Sequence, residues 1–217
     1  MSGLIWKDFR IMRGGLAVYF LMCVGCYVLL AWLGTLNFGF ILSSNQLLLM
    51  ILPLSMFYQD EQAGWDRCAM CLPLGHEAVV GARYLFILGL ALLAAATGLT
   101  GSAVVRLLGW EDLTELAITF PFAFAVSLVM EAVLLPLIYK WGTQKAQVSL
   151  CVLIVLFAVG LMALVWFDFL DLSALERLDK HSLAVLAGKL ALLPLAGLAA
   201  LFLSYRISCH VAAGKEY

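Results

Sequence analysis

The side chains able to do chemistry in this sequence are few and far apart. Glu131 is a carboxylic acid within the apolar run AVSLVMEAVLLPL. Cys68 and Cys71 form a lone CxxC with only His76 nearby, whereas a zinc site needs about four ligands. These read as reduced thiols, with no metal site expected. Cys23, Cys26, Cys151 and Cys209 lie in or beside apolar runs, where cysteine acts as a small hydrophobe. His76, His181 and His210 sit at the borders of such runs, and no serine in a G-x-S-x-G setting accompanies them. HEAVV has the first two letters of a HExxH zinc motif but not the last. No catalytic residue is expected, and there is no GxxxxGK[ST] phosphate loop in the chain.

What must position these residues is a set of apolar helices. The chain has 217 residues, 65% hydrophobic and 12% charged, with a mean hydropathy of +1.04. A soluble domain carries roughly 25% charged residues, so this charge density cannot clothe a water-facing surface. An apolar stretch of about twenty residues crosses the hydrocarbon core as a helix. Six stretches qualify, at 16–36, 41–58, 79–107, 116–139, 148–167 and 183–208. The expected fold is all-α: one polytopic transmembrane domain over 1–217 with six transmembrane helices. Net charge is −1 and implies no nucleic-acid partner.

Lysine and arginine orient the spans. Lys7, Arg10, Arg13, Arg67, Arg83, Lys140, Lys145, Arg206 and Lys215 fall on one side. Arg106, Arg177 and Lys180 fall on the other, among seven acids. Both termini are therefore expected in the cytoplasm. Residues 1–15 should form an interfacial amphipathic helix, with Leu4, Ile5, Phe9 and Met12 toward the bilayer and a break at Gly14-Gly15. Residues 168–182 read either as short external helices or as a solvated acidic loop.

The stretch 59–75, DEQAGWDRCAMCLPL with its neighbours, is a charged cytoplasmic interruption. Trp65, Cys68, Ala69 and Leu72 recur at helical spacing, and Pro73 ends the pattern. A short amphipathic helix results, expected to offer Asp60, Glu61, Asp66 and Arg67 to the cytoplasm. It would dock on a second protein and pass its motion to both attached spans.

YQDEQAGWDRCAMCLPLGHEAVVGARYL resembles the cytoplasmic loop of ABC exporter permeases of the ABC-2 type, with its acid pair, Trp-Asp-Arg, Leu-Pro and terminal Arg-Tyr. LLPLIYKWGTQKAQ is similar to the cytoplasmic end of the fourth span in the same branch, carrying Tyr139, Lys140 and Lys145. LIWKDFR and the SYRISCHVAAGKEY ending are compatible. Gly75-His76 replaces a usual Ser-Arg, and Trp141 a usual Phe. Within that family the chain resembles permease subunits of bacterial peptide exporters, including the phenol-soluble-modulin exporter.

The resemblance implies a multi-pass permease of a bacterial plasma membrane, with an interfacial helix at 1–15 and a coupling helix at 59–75. Asp60, Glu61, Trp65, Asp66, Arg67, Leu72 and Pro73 would form the ATPase-docking element. It also implies two cytoplasmic ABC ATPase subunits, a second permease copy or paralogue, and the lipid bilayer as partners. ATP and Mg would be held by the ATPase, leaving this chain without a cofactor of its own. The implied cargo is an amphipathic peptide, with a drug or lipid as alternative.

An acid at the depth of Glu131 costs about 2.5–3.5 kcal/mol on insertion scales unless it meets protein, water or a ligand. It therefore reads either as a pathway residue for cationic cargo or as a hydrogen-bonded carboxyl joining helices. Pro121, Pro136 and Pro194 permit kinks. GLTGSA in the third span offers small residues for close helix approach.

Overall fold

The computed structural model describes residues 2–34, 38–65, 69, 76–107, 113–166 and 188–214. They form α1 (Ser2–Leu33), α2 (Phe38–Gln62), α3 (His76–Leu107), α4 (Leu113–Trp141), α5 (Thr143–Trp166) and α6 (Leu193–Ala213), with no strand among the described residues. Asp66, Arg67, Leu72, Pro73, both loop cysteines and the segment 168–182 lie outside the described residues.

Among the described residues, four helices are long and apolar enough to cross a membrane: Gly3–Leu33, Glu77–Leu107, Leu116–Trp141 and Gly188–Ala213. The other two helices, α2 and α5, have 25 and 24 residues. Helix α3 has 32 residues. At a rise of about 1.5 Å per residue it is about 48 Å long, well beyond a hydrocarbon core of about 30 Å. In crossing such a core α3 would tilt or extend into the interface or water.

Helix α1 corrects one expectation. It runs without interruption through Gly14-Gly15, where a break was expected. Each glycine costs up to about 1 kcal/mol in a helix, but a broken helix inside lipid would leave backbone groups unsatisfied at a cost of several kcal/mol each. Gly15 also lies against α2, where an added Cβ would stand 3.3 Å from Leu52 Cδ2. Ser2–Leu33 is one continuous helix.

The second correction concerns α2. Asp60 and Glu61 are its last turn, not the start of a separate coupling helix. The helix closes at Ala63-Gly64, with the Ala63 N–H donating to Gln59 O and the Gly64 N–H to Glu61 O. Gly64 has φ +64°. That is the left-handed conformation in which glycine ends helices most cheaply.

Contacts between helices put the start of α1, the end of α2, the start of α3, the α4–α5 junction and the end of α6 at one end of the bundle, the base. Helix α2 is central, touching α1, α3, α4 and α5, while α4 and α6 share the broadest interface. On α6 the buried residues Gly197, Leu201, Ser204, Ser208 and Ala212 recur at helical spacing. Lipid is as apolar as leucine, so small residues that let backbones approach supply the packing. An added Cβ at Gly197 would lie 3.0 Å from Leu128 Cβ and 3.4 Å from the Ala125 carbonyl oxygen. Gly197→Val should therefore force α4 and α6 apart and cost about 1–3 kcal/mol, measured as lost resistance to thermal unfolding in detergent. Gly25→Ala, whose new methyl meets nothing, should be silent.

The small residues of the third span behave as expected. A Cβ at Gly98 would meet Leu42 Cδ2 at 2.9 Å, and one at Gly101 would meet Ile41 and Tyr27 at 3.0 Å. Pro194 falls in the first turn of α6, after a turn at 191–192, where proline's missing N–H is harmless. Pro53, Pro121 and Pro136 are accommodated inside α2 and α4.

Candidate functional site

At the base, where the chain leaves α2 and returns through α3, polar side chains converge from α1, α2, α3 and the α4–α5 junction. Lys7 Nζ donates to both carboxylate oxygens of Asp60, at 2.9 Å each, and lies 3.2 Å from Asp8. Arg83 Nη2 donates to Asp60 Oδ2 at 2.8 Å. The side chains of Asp8, Asp60 and Arg83 are 3–5% exposed, against 22% for Lys7. Two cations and two carboxylates balance to zero, which is how buried charge survives desolvation. Arg83 also lies over the Phe57 ring, 4.6 Å from its centroid, and Lys7 over the Trp65 ring at 4.0 Å.

Asp60 is thus not an outward-facing docking residue, contrary to the expectation from its place in a charged loop. Arg83 enters the base on α3, and a guanidinium shielded from water needs a carboxylate beside it. Asp60, at the end of α2, supplies that carboxylate and takes Lys7 as well.

Glu61 points the other way around α2. Its Oε2 accepts from the Thr143 backbone N–H at 3.1 Å and from the Thr143 hydroxyl. Gly142 is the N-cap of α5, since its carbonyl accepts the Ala146 N–H, and its own N–H closes α4 on Ile138. The first N–H groups of a helix have no partner within it. A carboxylate there satisfies one of them and suits the positive end of the helix dipole. Gly142 has φ +82°, and a Cβ would sit 3.2 Å from Glu61 Oε1, so both the turn and the contact favour glycine. Next to it, Phe57 and Tyr139 meet edge to face at 5.6 Å.

The two stretches that carry the resemblance, near residues 57–85 and 134–147, therefore lie against each other through Phe57–Tyr139 and Glu61–Thr143. Lys140 and Lys145 are exposed beside this contact. Trp65 is half-buried under Lys7. Nothing local in the sequence marks Lys7, Phe57, Gly142 and Thr143 for these roles. The signal available was Arg83, a cation just inside an apolar run, which called for an acid at the same depth.

Glu131 lies on the buried face of α4 with Leu128 and Leu135, 1% exposed. Neither of its carboxyl oxygens has a hydrogen-bond partner among the described residues. Tyr84 of α3, within electrostatic range, bonds Ser204 at 2.8 Å and Ser208 at 2.7 Å on α6. Away from the base, Asn45 of α2 gathers a second polar group. Its Oδ1 accepts from Tyr19 at 3.0 Å and from Cys23 at 3.1 Å, and its Nδ2 donates to the Tyr27 hydroxyl. Thr97 of α3 joins through Tyr19 at 2.9 Å. Tyr19, Cys23 and Tyr27 are spaced i, i+4, i+8, a stripe that could have been read from sequence. No group of metal-ligating side chains occurs among the described residues.

A family model described as ABC-2 family transporter protein matches residues 3–212. Neither the curated proteins nor the solved structures contain a match.

Proposed function

Because the chain belongs to the ABC-2 transporter family, we propose that it is the permease subunit of an ATP-driven exporter. All six helices cross the membrane in this reading, with both termini and the 59–75 segment in the cytoplasm of a bacterial cell. Two membrane subunits, identical or paralogous, form the pathway, and two cytoplasmic ATPase subunits drive it.

The observation that supports this most is the joint at the base. The segment after Gly64 leaves from a helix end fixed to α1 and α3 through Asp60 and to the α4–α5 junction through Glu61. A force applied near Trp65 would reach five helices without passing through a compliant linker. Packed and hydrogen-bonded elements carry such coupling. Asp66, Arg67, Leu72 and Pro73 belong to the docking surface, and exposed Lys140 and Lys145 flank it. Asp60, buried, transmits force, and Glu61, exposed and bonded to Thr143, stands at the edge of that surface.

An amphipathic peptide is the proposed cargo, ahead of a drug or lipid. Glu131, sealed between helices, would meet its cationic part only when α4 and α6 separate. The test is reconstitution with the cognate ATPase and a screen of amphipathic cationic peptides for stimulated hydrolysis. The expected result is stimulation that Glu131→Gln reduces severalfold while assembly is retained. Absence of any associated ATPase would reject the exporter reading.

A second reading rests on Glu131 itself. A buried, unpartnered acid in a membrane helix is also the mark of a proton relay in secondary transporters. Uptake or export that follows an imposed proton gradient without ATP would favour it.

A further inference from the structure

We propose that the groove between the first turns of α1 and the adjoining face of α3 binds the acyl chain of an anionic phospholipid, with Arg10 and Arg13 on its headgroup. The groove has a volume of about 550 Å³ and is lined by Ile5, Trp6, Phe9 and Leu16 from α1 and by Gly89 and Leu93, among others, from α3. It exists because α1 continues straight through Gly14-Gly15 and stands beside α3. An interfacial helix lying flat on the membrane would leave no such cleft. From Ile5 to Leu16 the helix rises about 16 Å, close to half a hydrocarbon core of about 30 Å. That is the depth of one leaflet, and Arg10 and Arg13 meet a headgroup at its base only by extending their long side chains back toward the start of α1.

The rim supplies the charge. Phe9, Arg13 and Leu16 stand at i, i+4, i+7, so Arg13 shares the groove's face of α1, and Arg10, four residues after Trp6, stands at its edge. Both are exposed, and neither forms an ion pair among the described residues. Lys7, by contrast, is engaged by Asp8 and Asp60. Trp6 and Phe9 stack at 6.0 Å and are 65% and 44% exposed. Aromatic groups of this kind sit at headgroup level.

The occupant must therefore be apolar along its length and anionic at the base. A second copy of this chain is a poor complement. Among the described acids at the base, Asp8 and Asp60 are buried, and the exposed acids are Glu61, already bonded to the first turn of α5, and Glu77. An anionic phospholipid has both properties in one molecule. The site depends only on the chain lying in a bilayer, not on the identity of its cargo.

The experiment is mass-spectrometric measurement of phospholipid retained by the full chain after extraction from bilayers of equal phosphatidylglycerol and phosphatidylcholine. The native chain should retain the anionic lipid about tenfold over the zwitterionic one, since each basic residue at an anionic surface contributes appreciably to binding. Arg10→Gln with Arg13→Gln should abolish that preference. Gly89→Leu tests the groove without touching charge. A Cβ at Gly89 meets nothing within 4 Å, so the leucine grows into the groove with the helices in place, and retained lipid should fall by a similar factor. Equal retention of the two lipids by the native chain would overturn the proposal. So would undiminished retention by Gly89→Leu, which would leave surface attraction to the arginines alone. A fall in oligomer mass with lipid unchanged in that variant would assign the groove to a second copy instead.

Discussion

Asp60→Ala is expected to be the most damaging single substitution at the base, costing about 3–5 kcal/mol, the usual penalty for leaving one member of a buried ion pair without its partner. The reason is arithmetic. Asp8, Asp60, Lys7 and Arg83 sum to zero, and removing Asp60 leaves a net positive charge among groups of which Arg83 is 4% exposed. Arg83 would keep the Phe57 ring beneath it, but a cation–π contact of about 0.5–2 kcal/mol does not replace a carboxylate. Thermal unfolding of the purified chain, followed by tryptophan fluorescence, reads the effect. The double variant Asp60→Ala with Arg83→Met separates charge from packing, because apolar replacement of a whole buried pair is often close to neutral. It should recover more than half of the loss. A single variant within about 0.5 kcal/mol of the native chain, the range of an ordinary surface change, would show that the joint carries no stability.

The second large effect concerns coupling instead of stability. Trp65→Ala with Asp66→Ala should leave the unfolding temperature nearly unchanged, since Trp65 is only half-buried and its described partner, the Lys7 ammonium, stays held by Asp60 and Asp8 without it. The same pair should weaken ATPase association about thirtyfold, the equivalent of the roughly 2 kcal/mol typical of a tryptophan at the centre of an interface. Cargo-stimulated hydrolysis should fall with it. A double variant that hydrolyses ATP at the native coupled rate would remove Trp65 and Asp66 from the docking surface.

The class of fold was legible because composition leaves little choice: a chain with 12% charged residues must place most of its surface in lipid. Helix positions followed from the apolar runs, and α3 and α4 fall close to the ranges expected. The Gly-Leu-Thr-Gly-Ser-Ala stretch was readable as a contact surface, because glycine in an apolar helix has little other use there. Two features resisted. Gly14-Gly15 looks like a break when judged by intrinsic propensity, yet inside a bilayer the backbone keeps its own hydrogen bonds and the helix continues. Asp60 looks solvated because its neighbours in sequence are polar. Its burial is decided by Lys7, 53 residues earlier, and Arg83, 23 residues later, neither of which local pattern can supply. The Glu61 cap on α5 is hidden for the same reason, 82 residues away from its partner.

Those long-range contacts change how the base is understood. Of the acid pair at the end of α2, Asp60 is buried against Lys7 and Arg83, and Glu61, though exposed, bonds the first turn of α5. On the proposed reading the surface for a partner begins at Gly64-Trp65. The residues that hold the bundle end at the turn where Gly64 adopts its left-handed conformation.

The central claim is that the segment between α2 and α3 rests on a cytoplasmic ATPase while the transporter turns over. Site-specific photo-crosslinking from position 69, in living cells expressing both subunits, addresses it directly. The expected product is a single adduct joining this chain to the ATPase, lost when Trp65 and Asp66 are replaced. An active, assembled transporter that yields no such adduct would contradict the account.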